Sequence, residues 1–209
     1  MTLPTWKMRF LGSTRGQILA ILRRGDATVN ELAQRLGLTD NAVRTHLAGL
    51  ERDGLVEQRG VQRGIGKPAY VYRLTSEADA LFPKAYALVL DGVLETLRER
   101  EGDERLREVL IEVGKRLAER SGTPRGDLRT RVRAAADALN RLGGLAEVVE
   151  ENGSIEIQGY SCPLSAVAGD HPPVCQLAAA LLTELVGTSV EEACERGERP
   201  RCRFLVRAD

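Results

Sequence analysis

Apolar residues Ile18, Leu19, Ile21 and Leu22 follow Thr14, and Gln17 stands three positions after that threonine. A hydroxyl residue followed at that distance by Glu or Gln, ahead of an apolar run, marks a helix start. The spacing therefore predicts a helix closed by Gly25. Thr28 and Glu31 repeat the signature and open a short helix over Val29–Leu36, ended by a tight turn at Gly37. Thr39 caps a third helix reaching about Asp53, where Gly54 stops it. On that helix Val43, Leu47 and Leu50 form an apolar stripe, and Asp40, Asn41, Arg44, Thr45 and Ala48 lie opposite.

The period changes after Gly54. Residues 55–58 and 70–74 read as strands, and the Gly-rich, basic segment GVQRGIGKPA between them reads as a flexible hairpin. Residues 76–101 form a long amphipathic pattern, with Leu81, Phe82, Ala85, Leu88, Val89, Val93 and Leu97 on its apolar side. Pro83 marks its start, since proline suits a first helical turn. Gly102 and Asp103 break the pattern, and helices follow over 104–120 and 128–142. From Gly143 the signal is β-like. Strands at 146–149 and Ser154–Gly159 flank a Glu-Asn-Gly turn at 151–153. An apolar helix at 176–186 and a last strand complete the chain.

The order of three helices and a basic hairpin is that of a winged helix-turn-helix, whose third helix enters the major groove. The fold class expected is α+β. It comprises a winged helix-turn-helix over residues 1–75, a dimerisation helix over 76–102 and an α+β sensor domain with four cysteines over 103–209. A long apolar-striped helix needs more cover than its own small domain supplies. Pairing with a second subunit supplies that cover and suits a palindromic operator.

Charge sharpens this picture. The 209 residues carry 30 Lys/Arg and 30 Asp/Glu, a balance that by itself argues against nucleic acid. The halves differ. Residues 1–75 hold 12 basic and 6 acidic residues, and the remainder holds 18 and 24. Only the first part is built to meet phosphate. Thr39, Asn41, Arg44 and Thr45 on the third helix, with Arg59, Arg63 and Lys67 in the hairpin, are the expected contacts to double-stranded DNA. His46 sits at the edge of the same helix and reads as a packing or phosphate-contact residue. No apolar run approaches membrane-span length and no signal-peptide stretch opens the chain, so a cytoplasmic protein is expected.

Cys162, Cys175, Cys194 and Cys202 all lie in the last quarter, separated by 12, 18 and 7 residues. In a reducing compartment such clustering points to a metal or redox site rather than to structural disulfides. The spacings lack the paired CxxC of structural zinc. Thiolates at turns and helix starts suit an iron–sulfur cluster, and Cys175 opens a helix whose dipole favours a thiolate. His171, in GDHPPVC, reads as a loop residue or a further ligand. With two histidines and no nucleophile–base or paired-carboxylate motif, an enzyme is not expected.

The stretch from Ser13 to Thr75, with GxGKPAYVYRLT at its hairpin and LFPKAY after it, resembles the iron–sulfur-binding repressors of the Suf cluster-assembly operon. More broadly it resembles ArsR- and DeoR-like winged-helix regulators. The CPL…C segment, with 12 residues between its first two cysteines, matches the same repressors. The resemblance implies a homodimer carrying one cluster (2Fe-2S or 4Fe-4S) per subunit, with Cys162 and Cys175 and then Cys202 as ligands; the fourth ligand stays open, with Cys194 as a candidate. The later cysteines depart from that pattern, and ACERGERPRCRF resembles the end of 4-vinyl-reductase-like small-molecule-binding domains. Zinc, a reversible disulfide or a small-molecule ligand are the alternatives within a DNA-binding regulator. A small-molecule-binding protein or enzyme with an accessory winged helix is the reading from another class.

Overall fold

A computed structural model describes residues 5–62, 68–151, 153–195 and 201–207. The chain divides into two compact units, Met1–Lys84 and Ala85–Asp209.

In the first unit the elements are α1 (Thr5–Gly12), α2 (Thr14–Leu22), β1 (Ala27–Thr28), α3 (Val29–Leu36), α4 (Asp40–Arg52), β2 (Val56–Gln62), β3 (Ala69–Leu74) and α5 (Ser76–Asp79). The cap of α2 is Ser13 rather than Thr14. Its hydroxyl accepts from Gly16 N–H and donates to the Phe10 carbonyl. α1 and α2 join so closely there that a Cβ on Gly16 would lie 2.1 Å from the Phe10 oxygen. The second predicted start is present in full. The Thr28 hydroxyl accepts from Glu31 N–H, and the Glu31 carboxylate accepts from Thr28 N–H at 2.7 Å. Ile18, Leu19 and Leu22 of α2, Leu32 of α3, and Val43, Leu47 and Leu50 of α4 close over one core, with Val56 and Tyr72 of the sheet. The three strands run antiparallel in the order β1-β3-β2. β1 had no signal in the sequence because it is only two residues long.

The long helix expected over 76–101 is a different object. α5 is a single turn capped by Thr75. Leu81 and Phe82 then pack into the core of the first unit, and the Arg23 guanidinium lies 4.2 Å from the Phe82 ring centroid. These two side chains satisfy the helical spacing of the later residues, but burial in the winged-helix core takes them out of that helix.

The second unit begins with α6 (Tyr86–Ser121), interrupted at Gly102, where φ is 83° and ψ 170°. α7 (Leu128–Arg141), β4 (Ala146–Glu151), β5 (Ser154–Gly159), α8 (Ser165–Ala168), a 3-10 turn at Pro172–Val174, α9 (Cys175–Val186), β6 (Val190–Glu192) and β7 (Cys202–Val206) follow. The sheet is antiparallel in the order β4-β5-β7-β6. Ile157, Phe204 and Val206 from the sheet meet Val132, Ala135 and Leu139 of α7 and Leu181, Leu182 and Leu185 of α9 in the main core. A smaller cluster joins Leu94, Leu106 and Leu110 of α6 to Val167, Ala168 and Val174. Of the apolar side predicted for 76–101, Leu97 packs against this cluster while Leu88, Val89 and Val93 are exposed. The buried anchor is Leu94, which lay outside the predicted stripe. Among the described residues no helix is long and apolar enough to cross a membrane.

α6 crosses α9 at Gly114, where an added Cβ would stand 2.3 Å from the Leu177 carbonyl oxygen and 2.9 Å from Ala180 Cβ. Gly114→Val is therefore expected to lower the unfolding free energy by about 1–3 kcal/mol, as overpacking does. Gly92→Ala, with nothing within 4 Å of the new methyl, should raise it by roughly 0.5–1 kcal/mol through helix propensity. Urea denaturation of the two variants checks both signs.

In the first unit, the bonds from Thr28 N–H and hydroxyl hold the Glu31 carboxyl below its ordinary 4.5, with help from Arg35 and against a small burial cost. A carboxylate with a depressed folded pKa adds stability that is fully present above the unfolded value and is lost as pH falls through the folded one. Acid titration of unfolding below about 4.5 should show this loss in the wild type and a flatter limb in Glu31→Gln.

Candidate functional site

Two sets of residues carry chemistry. The first lies on α4 and the β2–β3 hairpin. Gly37, at φ 65°, turns the chain between α3 and α4, and the Thr39 hydroxyl accepts from Ala42 N–H to start α4. With Val43, Leu47 and Leu50 buried, the helical period forces Asn41, Arg44 and Thr45 outward, and all three are exposed, as is Thr39. The Thr45 hydroxyl donates to the Asn41 carbonyl at 3.0 Å, which leaves the Asn41 amide and the Arg44 guanidinium as the projecting polar groups. His46 is half-buried at the margin of the same helix. The strands of the hairpin are longer than the alternation predicted, and their register slips between Gln58 and Gly60. Arg59 is the extra residue of that bulge, and its guanidinium binds Asp26 at 2.9 Å. Arg63 and Lys67 lie outside the described residues.

The second set is the cysteines, drawn together by the sheet of the second unit. Cys202 opens β7 opposite Gly159 of β5. A Cβ on Gly159 would come within 3.2 Å of Cys202 Cβ and 3.0 Å of the Gly144 oxygen, so the strand passes Cys202 closely where glycine leaves room. Cys162 lies three residues beyond Gly159, and its thiol is hydrogen-bonded to that of Cys202. Cys194 follows β6. There Ala193 N–H donates to the Arg203 carbonyl at 2.8 Å, and Arg203 N–H donates to Cys194 Sγ at 3.4 Å. Arg203 is itself fixed by a two-pronged bond to Glu156, at 2.6 and 3.0 Å. Cys175 is the first residue of α9, and its thiol and that of Cys202 both contact Cys194. The four thiols thus form one connected group, and none is in a disulfide.

The group is electrostatically uneven. Cys162 is held down at about 7, first by its hydrogen bond with Cys202 and then by the Leu164 N–H, against burial and the charges of Cys175 and Cys194. Cys194 is pushed up to about 12. Its contact with Cys175 lowers it, but the bond with Cys202, burial and the Cys202 charge outweigh that. Cys202 is likewise pushed up to about 12, above all by its bond to Cys162, with burial adding to the rise and the Cys194 contact opposing it. A metal bound here would require the thiols to lose their protons.

A fifth donor was not foreseen. One carboxylate oxygen of Glu192 and the Sγ atoms of Cys175 and Cys194 lie within 4.8 Å of one another. Glu192 ends β6, and its other structural role is to accept from Cys194 N–H at 3.0 Å. The available signal was the two-residue spacing of Glu192 and Cys194, which on an extended chain puts both side chains on one face. The thiol-rich donor set with one oxygen ligand is able to hold a metal. His171 is not part of it. Only 2% exposed, it bonds through Nε2 to Asp91 of α6 at 3.0 Å.

The chain matches no curated protein. Residues 12–58, from the end of α1 to the start of the hairpin, match the arsR family of bacterial regulatory proteins. The first unit therefore carries an arsR-family helix-turn-helix, a domain that binds DNA in regulators.

Proposed function

We propose that this protein is a transcription regulator, acting as a repressor, whose affinity for a palindromic operator is governed by an iron–sulfur cluster on Cys162, Cys175, Cys194 and Cys202. The observation that carries the reading is the convergence of all four thiols, from four separate segments, in a chain whose other unit is an arsR-family helix-turn-helix. Thiolates are the ligands such clusters use. The group would supply a centre that oxidants and iron supply can disturb. The chain's part is to hold the thiols on β7, on the turns after β5 and β6 and at the start of α9, in a group that closes only when all of these segments are in place.

A specific observation favours zinc as the second reading. Cys175, Glu192 and Cys194 lie close enough for one ion to span, and tetrahedral zinc takes mixed sulfur and oxygen ligands. Anaerobically purified protein separates the two. Stoichiometric iron and acid-labile sulfide, with visible absorbance lost in Cys162→Ser and Cys175→Ser, support the cluster. Colourless protein with stoichiometric zinc overturns it.

DNA contact falls to Asn41, Arg44 and Thr45 for bases and to Thr39, Arg59, Arg63 and Lys67 for the backbone. Arg44→Ala should weaken operator binding by roughly 1–3 kcal/mol if it reads a base, with relaxed sequence preference. A uniform loss across sequences with a shallower salt slope would make it a phosphate contact instead. Fluorescence anisotropy on matched and altered operators measures this.

Two copies are joined in this reading by residues 86–101. Tyr86, Val89 and Val93 recur at helical spacing and are 76%, 61% and 56% exposed, while Leu94 and Leu97 face their own unit. Val89→Glu with Val93→Glu should convert a dimer to a folded monomer in sedimentation velocity.

The thiol contrast predicts chemistry in the reduced, metal-free protein. Alkylation of Cys162 should follow a titration near 7, while Cys194 and Cys202 stay slow until strongly alkaline pH. Peptide mass spectrometry across a pH series reads the order.

A further inference from the structure

Glu192 belongs to two places at once. One of its carboxylate oxygens lies within 4.8 Å of the Cys175 and Cys194 sulfurs. The same residue lines a cleft of about 430 Å³, between Arg98, Leu106 and Arg107 of α6 and the His171–Gln176 stretch. Of the five donors, Glu192 alone lines this cleft. Cys175 and Cys202 are buried. A solute in the cleft therefore meets the carboxylate before it meets any sulfur.

The cleft is lined by two basic residues, Arg98 and Arg107, and two acidic ones, Asp103 and Glu192, so a guest's charge is met only where a guanidinium has no carboxylate partner. Arg107 is paired with Glu104 at 3.0 Å. Arg98 donates to the neutral carbonyl of Asp170 at 3.5 Å and makes no ion pair among the described residues. The Arg98 guanidinium, beside Leu106, Pro172 and Pro173, can offer an anionic guest a charge-assisted hydrogen bond.

We propose that Glu192 is an exchangeable oxygen ligand of the metal centre, and that the cleft admits a small anion which displaces it and is held by Arg98. This rests on the second reading above, in which one metal ion is held among Cys175, Glu192 and Cys194. The thiolates would anchor the centre, and the carboxylate, a harder and more weakly held donor among soft ones, is the position that opens. The exchange is a substitution without redox change: the metal–oxygen bond to Glu192 breaks, one to the anion forms, and the Glu192 carboxylate returns to the cleft.

Cobalt(II) loaded anaerobically into the metal-free full chain is the probe, because its thiolate charge-transfer and ligand-field bands report sulfur and oxygen ligands separately. Azide is the anion and imidazole the neutral control. The wild type should show thiolate charge transfer, and azide should shift its ligand-field bands. Glu192→Gln keeps the acceptor for Cys194 N–H. It should retain the charge-transfer intensity, alter the ligand-field bands and bind azide about ten-fold more tightly, the scale on which ligand-shell changes act. Arg98→Gln should weaken azide about ten-fold and leave imidazole unchanged, as expected for loss of one charge-assisted bond. Glu192→Cys should add charge-transfer intensity and abolish the azide response. If Glu192→Gln leaves both the ligand-field bands and the azide affinity at wild-type values, Glu192 is not a ligand and the inference fails with the thiolate centre intact. If the wild type shows no thiolate charge transfer, the metal reading fails and takes this one with it.

Discussion

The antiparallel pairing of β5 with β7 is the constraint on which the second unit depends. It fixes Gly159 opposite Cys202, and the missing side chain at Gly159 lets Cys202 sit beside the strand end from which Cys162 departs. The next residue, Arg203, is bound sideways to Glu156 of β5 and reaches with its backbone toward Cys194 on the other side. Three of the four thiols are thus placed by hydrogen bonds of a single strand. The fourth, Cys175, is placed by packing, since α9 is pinned against α6 where Gly114 permits close approach. A backbone ladder is a good device for this purpose. Its register is strongly specified, because a one-residue slip would carry Ile157, Phe204 and Val206 out of the core.

The first unit solves a different problem with the same economy of means. Caps at Ser13, Thr28 and Thr39 set where each helix begins, and the apolar stripe of α4 sets which of its residues face out. The phase of that helix sets where Asn41 and Arg44 point. The bulge at Arg59 twists the hairpin, and its ion pair with Asp26 ties the base of the hairpin to the turn after α2. A basic residue counted as a hairpin phosphate contact is in this structure partly neutralised from within.

Much of this was legible in the sequence, for identifiable reasons. Helix starts with side-chain caps and glycine stops are local chemistry, so Thr28, Thr39, Gly37 and Gly54 speak for themselves. Alternation gave Ser154–Gly159 without tertiary help. Where the reading failed, distant packing decided. Leu81 and Phe82 fit the spacing of the helix after them, yet the core of the first unit claims them, and no local pattern distinguishes one apolar partner from another. β6, three residues long, exists because β7 lies beside it, and Glu192 joins the thiols only through that pairing. The clustering of cysteines near the end of the chain pointed to a shared site. Which of them touch, and that a carboxylate stands among them, are matters of register and therefore of the folded sheet.

The break at Gly102 bears on how motion can travel. At φ 83° the run of helical hydrogen bonds is interrupted, so residues 86–101 and 103–121 are two rods on a joint rather than one lever. Torque applied to one is not passed along a common axis to the other. What remains is lateral coupling, and its polar elements are two bonds to the first rod: that of buried His171, four residues before Cys175, to Asp91, and that of Arg98 to the Asp170 carbonyl. The first rod thus meets the loop leading into the thiol group along its own flank.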